Sequence, residues 1–246
     1  MPILPDDHDA PAMYPLRGPT GDLGSLALDQ RTMISRLKSI VKARFPFALP
    51  VAAAILHQIS KRKIRRLLRE RREIFIELGA GNKRGKGNWI TIDVTQSCDI
   101  FWDLRKGIPF PNGSVKMIYS SHFFEHLSFK EAQGFLDECK RALEPTGRFS
   151  ICVPNARIYI DAYAKGNSLD RAVFFGYGPA YNHTTRIDCI NYIAYMAGEH
   201  KYMFDEENLV FILKSKGFRN VRLREFDPSL DMPERDIESI YAEAEK

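Results

Sequence analysis

The stretch Ile74-Phe75-Ile76-Glu77-Leu78-Gly79-Ala80-Gly81-Asn82 decides how the rest of the chain reads. An apolar run ends in an acid and is followed by two glycines with one residue between them. Such a run matches a strand buried on both faces, as in a parallel sheet. Gly79 and Gly81 permit a sharp turn and remove the β-carbons that would hold a ligand away from the backbone. Glu77 falls at the carboxyl end of that strand, where open α/β sheets bind their ligands.

Three further runs follow. Trp89-Ile90-Thr91-Ile92-Asp93-Val94 is a second strand tipped by an acid, and a carboxylate there can accept both hydroxyls of a ribose. Asp99-Ile100-Phe101-Trp102-Asp103-Leu104 is a third; Asp103 beside Leu104 suits an adenine, one accepting its amine and the other covering its face. Val115 to His122 is a fourth, followed by Phe123-Phe124-Glu125-His126-Leu127. Strands are thus expected near 73–78, 89–94, 99–102 and 115–120. Ser128-Phe129-Lys130-Glu131 is a capping-box sequence. It opens a helix with Ala132, Phe135, Leu136, Cys139 and Leu143 inward, stopped by Pro145 and Gly147. Arg148 to Val153 is a fifth strand. The loop Asn82 to Asn88 has no apolar periodicity. A dinucleotide-binding unit has a helix there, with its acid roughly 20 residues past the glycines. A short loop offers no helix N-terminus to a pyrophosphate, which argues against a dinucleotide.

The ordered set Glu-x-Gly-x-Gly, Asp93, Asp103-Leu104, "IPFPNGSVKMIYSSHFFEHL" and "LDECKRALEPTGRFSICVPN" resembles the class I S-adenosylmethionine-dependent methyltransferases. In particular it resembles the bacterial methyltransferase type 11 group and related proteins of glycan and natural-product pathways. The resemblance covers about residues 73–155 and extends to 200–225. It implies an α/β fold: a Rossmann-like, mostly parallel sheet with helices on both faces. It implies S-adenosylmethionine as cofactor, with Glu77, Leu78, Gly79, Ala80, Gly81 and Asn82 at its amino-acid and ribose part. Asp93 and Val94 would then meet the ribose, and Asp103 and Leu104 the adenine. Ser120-Ser121-His122 would lie beside the transferred methyl. S-adenosylmethionine has no phosphate, so the shortened loop suits it.

Methyl transfer from a sulfonium is an in-line displacement. It needs an aligned nucleophile and, for a hydroxyl acceptor, removal of a proton. No Asn/Asp-Pro-Pro-Tyr/Phe sequence follows the fourth strand, which disfavours methylation of base or glutamine nitrogens. Histidines stand there instead, and a histidine titrates near neutral pH. His122 is the first candidate base and His126 the second; for each, a purely structural role is the alternative. Glu125 adjoins His126, but helical neighbours point apart, so it is not thereby a partner. His183 and His200 flank a helical segment from Arg186 to Ala197 and could reach the pocket. With Asp188 they could meet a divalent cation, but the spacing is not diagnostic and no metal is assigned. The expected activity is O-methylation of a sugar, a glycan-linked group or another small-molecule hydroxyl. The competing readings are an RNA methyltransferase and a non-catalytic module that binds S-adenosylmethionine.

The chain has 246 residues, enough for one α/β domain with additions. Hydrophobic residues make up 44% and aromatics 11%, which supports a sizeable core and excludes wholesale disorder. The four cysteines, at 98, 139, 152 and 189, show neither metal-ligand nor disulfide-scaffold spacing. With no signal-peptide pattern and no membrane-length apolar run, a reducing cytoplasm is expected. The net charge is +5, yet residues 61–72 alone carry eight Lys/Arg and one Glu. The basic excess is therefore one helical stripe, either a solvated face or a seat for an anionic partner.

Four regions are expected. Residues 1–72 are an arm followed by helices at 25–45 and 51–70, broken by Pro46 and Pro50. The second helix carries an apolar stripe of Ile55, Leu56, Ile59, Ile64, Leu67 and Leu68. Residues 73–154 form the cofactor-binding core. Residues 155–203 are an aromatic-rich insertion with Tyr159, Tyr163, Phe174, Phe175, Tyr177, Tyr181, Tyr192 and Tyr195. This block reads as a cap over the acceptor pocket, or alternatively as an ordinary subdomain or homodimer contact. Residues 204–246 complete the core with a helix from Asp205 to Gly217, a strand from Phe218 to Phe226, and a short helix from Glu234 to Glu243.

Overall fold

The apolar runs become strands because their side chains leave water on both faces. In the computed structural model these are β1 (Phe75–Leu78), β2 (Trp89–Asp93), β3 (Ile100–Phe101) and β4 (Val115–Ser121), all parallel. Ile76, Leu78, Ile92, Ile100, Val115 and Ile118 are wholly buried. Each such side chain contributes about 1.5–3 kcal/mol of transfer free energy. The structure describes residues 48–70, 73–85, 87–95, 97–175, 182 and 184–246. The helix expected at 25–45 lies outside them. Residues 54–246 form one compact unit; of the preceding unit only residues 48–53 are described.

Helix α1 (Ala48–Glu70) buries Ile64 and Leu67 in the main core. The Ser60 hydroxyl accepts the Phe101 N–H at 3.0 Å, and His57 stacks on Trp102 at 4.1 Å. The expected apolar stripe is buried only in its second half, since Ile55 and Ile59 are exposed.

The capping box at Ser128 forms: its hydroxyl meets the Glu131 N–H, and the Glu131 carboxylate accepts the Ser128 N–H at 2.9 Å. Helix α2 (Phe129–Ala142) starts there and buries Ala132, Phe135, Leu136, Cys139 and Ala142. It ends one turn before Pro145, so β5 (Leu143–Pro154) begins at Leu143 instead of Arg148. The extra length is absorbed by a register shift between Val115 and Met117 on β4.

After β5 come α3 (Ala156–Ala164), α4 (Arg171–Phe174) and α5 (Ile187–Tyr195). They share a small core of Tyr159, Phe175, Tyr192 and Ile193. These aromatics pack on one another; Tyr163 and Tyr195 are exposed, and Tyr177 and Tyr181 lie outside the described residues. Helix α6 (Glu206–Ser215) is capped by Asp205, whose carboxylate accepts the Asn208 N–H at 2.8 Å. Strand β6 (Arg219–Leu223) follows.

The tail corrects the sequence reading. Residues expected as a helix from Glu234 to Glu243 form a 3-10 turn, Pro233–Glu238, and then a strand, β7 (Ser239–Glu245). Alanine and glutamate favour helix locally, but the pairing partners decide. Strand β7 runs antiparallel to both β5 and β6 and sits between them, giving the order β3-β2-β1-β4-β5-β7-β6. Its Ile240, Ala242 and Ala244 enter the main core, while Tyr241 packs with Tyr119 and Cys152 on the opposite face. The result is a Rossmann-like sheet of seven mostly parallel strands with flanking helices. No described helix is long and apolar enough to cross a membrane.

Candidate active site

The turn after β1 is built by its glycines. Gly79 and Gly81 have φ of 70° and 62°, left-handed values that side chains disfavour. The Gly79 N–H reaches back to the Ile92 carbonyl at 3.0 Å. The Gly81 N–H donates to Asp93 Oδ2 at 2.9 Å, and Thr95 Oγ1 donates to the Gly81 carbonyl. The turn is thereby pinned to the end of β2. A β-carbon on Gly81 would meet nothing within 4 Å, so open space lies beside this backbone.

The acids sit on one edge of the sheet. Leu78 pairs with Ile92 and Ser120, which brings the carboxyl ends of β1, β2 and β4 level. Glu77 forms an ion pair with Lys83. The Trp102 N–H donates to the Asp93 carbonyl at 2.8 Å, so Asp103 follows directly beyond Asp93 on the neighbouring strand. Asp103 caps the 3-10 turn Leu104–Lys106 and accepts from Arg105 Nε at 2.9 Å. The Arg105 hydrogen bond holds its carboxyl below the usual carboxylate range. Leu104 and Ala80 are buried; Val94 is 55% exposed, which leaves an uncovered apolar face beside Asp93. Asn82 is exposed and accepts from Ser97 at 3.0 Å. Ser120 is committed to structure, its hydroxyl donating to the Leu78 carbonyl at 3.1 Å, and Ser121 is buried opposite Cys152.

At the end of β4 the chain turns sharply through His122, a non-glycine residue with φ of 49°. Phe123 then falls over Gly79, and the 3-10 turn Phe124–His126 buries Phe124 and Glu125. Oε1 of Glu125 lies 3.7 Å from Nδ1 of His122 and 3.7 Å from Nε2 of His126. Burial pushes the Glu125 carboxyl up to about 8. Burial, aided by nearby Arg235, pushes His122 down to about 3. His122 is thus neutral at pH 7 and a weak base, and His126 is the partly exposed member.

His200 joins this group, its ring edge-on to that of His126 at 5.1 Å. His183 lies outside the described residues. Asp188 accepts from the N–H and hydroxyl groups of both Thr184 and Thr185, which hold it below the usual range. It ties the first turn of α5 to the Thr184-Thr185 segment before it.

Sequence reasoning missed two partners. Ser239 Oγ lies 2.9 Å from Nε2 of His122, and Tyr159 donates to Glu238 at 2.7 Å. Ser239 and Glu238 belong to the tail that local propensity reads as helix, so no signal near His122 in sequence points to them.

The family model described as a methyltransferase domain (type 11) matches residues 84–151. No curated protein sequence matches the chain. Solved structures are similar to it at low identity. An S-adenosylmethionine-dependent methyltransferase from Archaeoglobus fulgidus is 17% identical, with a TM-score of 0.43, over 77% of this chain and 94% of that one. One from Aquifex aeolicus is 16% identical, with a TM-score of 0.41, over 80% and 97%. The 1,6-didemethyltoxoflavin-N1-methyltransferase of Burkholderia thailandensis is 14% identical, with a TM-score of 0.45, over 94% and 93%. The methyltransferase-domain match over residues 84–151, joined to the sheet order and to the glycine turn and acid-tipped strands, supports a class I S-adenosylmethionine-dependent methyltransferase.

Proposed function

We propose that this methyltransferase acts on a hydroxyl oxygen of a small-molecule or glycan-linked acceptor. The observation that carries the reading is the cluster of His122, Glu125, His126 and His200 at the end of β4. A hydroxyl must lose a proton as its oxygen gains a methyl, and proton acceptors at that point serve this need. When bound, S-adenosylmethionine supplies an electrophilic methyl on sulfur and leaves as S-adenosylhomocysteine.

The chain's own residues divide the remaining work. The turn Gly79-Ala80-Gly81-Asn82, with Glu77 and Leu78 behind it, gives the donor's amino-acid part and ribose a close backbone approach. Asp93 accepts the ribose hydroxyls, and the exposed Val94 covers an apolar ring face. Asp103 and Leu104 hold the adenine edge. The residues present fit the donor: three carboxylates end adjacent strands, and open space adjoins Gly81. His122 orients the group from within, fixed by Ser239, and His126 meets the acceptor.

The test is transfer of isotopic methyl from S-adenosylmethionine to a panel of sugars, glycosides, phenols and amines. A base-stable methyl ether is expected, and its yield falls at least 100-fold in His126→Ala. Label found only on nitrogen overturns the reading.

An RNA acceptor is the second reading. Lys61, Arg62, Arg65, Arg66 and Arg69 are all exposed along α1. Binding to single-stranded RNA with affinity falling steeply between 50 and 200 mM salt, as expected for several phosphate contacts, would favour it. Binding that ignores salt, or none, removes it.

A further inference from the structure

The outward partners of the ring nitrogens around Glu125 fix which tautomer each neutral ring takes. Nδ1 of His126 lies 2.9 Å from the Glu199 carbonyl, and Nδ1 of His200 lies 2.8 Å from the Ile193 carbonyl. A carbonyl only accepts, so both Nδ1 atoms carry hydrogen, and in the neutral ring Nε2 is the atom with the lone pair. The Ser239 hydroxyl spends its hydrogen on the Arg235 carbonyl at 2.5 Å. It therefore accepts from His122 Nε2, leaving the lone pair of His122 on Nδ1. Three lone-pair nitrogens thus surround one carboxyl group. Glu125 is 98% enclosed, and its Oε2 has no hydrogen-bond partner in the structure.

A buried carboxyl oxygen without a hydrogen-bond partner, beside ring nitrogens directed at it, is satisfied when a cation displaces the proton and sits between them. We propose that Glu125, His126 and His200 form a binding site for one first-row divalent cation of the Zn2+ or Mn2+ class. One ligand atom from each lies within 4.8 Å of the other two. Zinc–nitrogen bonds of about 2.0–2.1 Å in a tetrahedral site place ligand atoms roughly 3.4 Å apart, so closure needs shifts of about an ångström. Two imidazoles with one carboxylate select a borderline cation over Mg2+ or Ca2+, which prefer all-oxygen sets.

The outer partners are those a metal site uses. Each ligating ring is aimed by a backbone carbonyl on its far nitrogen, which fixes tautomer and orientation. The N–H groups of Lys201 and Tyr202 donate to the Glu125 carbonyl at 2.8 and 3.3 Å, clamping the His200 segment against the 3-10 turn. His126 is 35% exposed in its side chain, whereas Glu125 and His200 are buried. The cation is therefore reached from the His126 side, where an acceptor oxygen can complete its shell. That use rests on the O-methylation reading; the binding of the cation does not.

The test uses the full chain, stripped with chelator and dialysed. Zn2+ affinity is measured by competition with a chromophoric chelator, and Mn2+ binding by electron paramagnetic resonance. One strong site per chain is expected, weakened at least about 100-fold in both Glu125→Gln and His126→Gln. S-adenosylhomocysteine titration of each variant shows whether it is folded. Should Glu125→Gln unfold, the more exposed His126→Gln decides. No strong site in the parent chain, or parent-like affinity in a folded variant, overturns the proposal. Cation binding without any methyl transfer to oxygen would instead overturn the O-methylation reading and leave the site standing.

Discussion

The ring of Phe123 lies directly against Gly79: a β-carbon on residue 79 would sit 2.2 Å from Phe123 Cγ. The turn after β1 and the turn after β4 are therefore packed into each other at the centre of the candidate active site. Gly79→Ala brings both a steric clash and a left-handed backbone that alanine resists. A loss of about 2–4 kcal/mol in urea unfolding is expected. Gly81→Ala shares the positive φ but faces open space, so about 1 kcal/mol is expected there. Removing the ring in a Gly79→Ala/Phe123→Ala double variant should recover no part of the backbone cost. Equal losses for the two single variants would show that the contact is immaterial.

Asp93 supports the donor turn through its bond to the Gly81 N–H. Asp93→Ala removes that bond and the proposed ribose acceptor together. A hydrogen bond to a charged group is worth about 1.5–3 kcal/mol, so donor affinity should fall roughly 10- to 150-fold. Calorimetric titration with S-adenosylhomocysteine measures it; unchanged affinity would place the donor elsewhere.

Asp99 gives a pH dependence with a defined sign. Burial works to raise its carboxyl, but the Lys63 ammonium and the N–H groups of Gly85 and Thr91 outweigh it and hold the group below its ordinary range. A depressed carboxyl stabilises the fold above the unfolded-state value of about 3.9 and loses that contribution as pH falls below it. Asp99→Asn should be less stable than the parent by about 1–3 kcal/mol at pH 7. The gap should close below about pH 3, where the parent carboxyl is protonated too. Denaturant midpoints at both pH values check this, and a gap that widens on acidification contradicts it.

On the opposite face, Asp231 is buried against Arg224 at 2.6 Å and accepts from Tyr119 at 2.8 Å. Asp231→Ala leaves a buried guanidinium without its carboxylate and should cost about 3–5 kcal/mol in thermal or denaturant unfolding. A loss below 1 kcal/mol would mean that the network relaxes into solvent.

Local chemistry explains what the sequence disclosed. The strands through β5 are apolar runs closed by acids, glycines or proline, and α2 announces itself by Ser128 and Glu131. Glu77, Asp93 and Asp103 are legible because each stands at or just past the carboxyl end of its own apolar run. What stayed hidden is non-local. Strand β7 reads as helix because Ile240-Tyr241-Ala242-Glu243-Ala244-Glu245 favours helix until β5 and β6 supply hydrogen bonds on both sides. The same misreading hid Ser239. The link of Glu125 to His122 and His126 was equally invisible, since it depends on a 3-10 turn that brings neighbours to one side. The aromatics of residues 155–203 read in sequence as a cap or as an ordinary subdomain, and Tyr159, Phe175 and Tyr192 fill a small core of their own.

Because β7 comes after the other described strands in the chain yet lies inside the sheet, the sheet cannot close until that last segment has been synthesised. Until it arrives, β5 shows an open edge and β6 has no neighbour, an interval in which a nascent chain is exposed to aggregation or chaperone capture. Ser239, on that same strand, anchors the ring of His122. The ring of His122 therefore gains that anchor only when β7 docks.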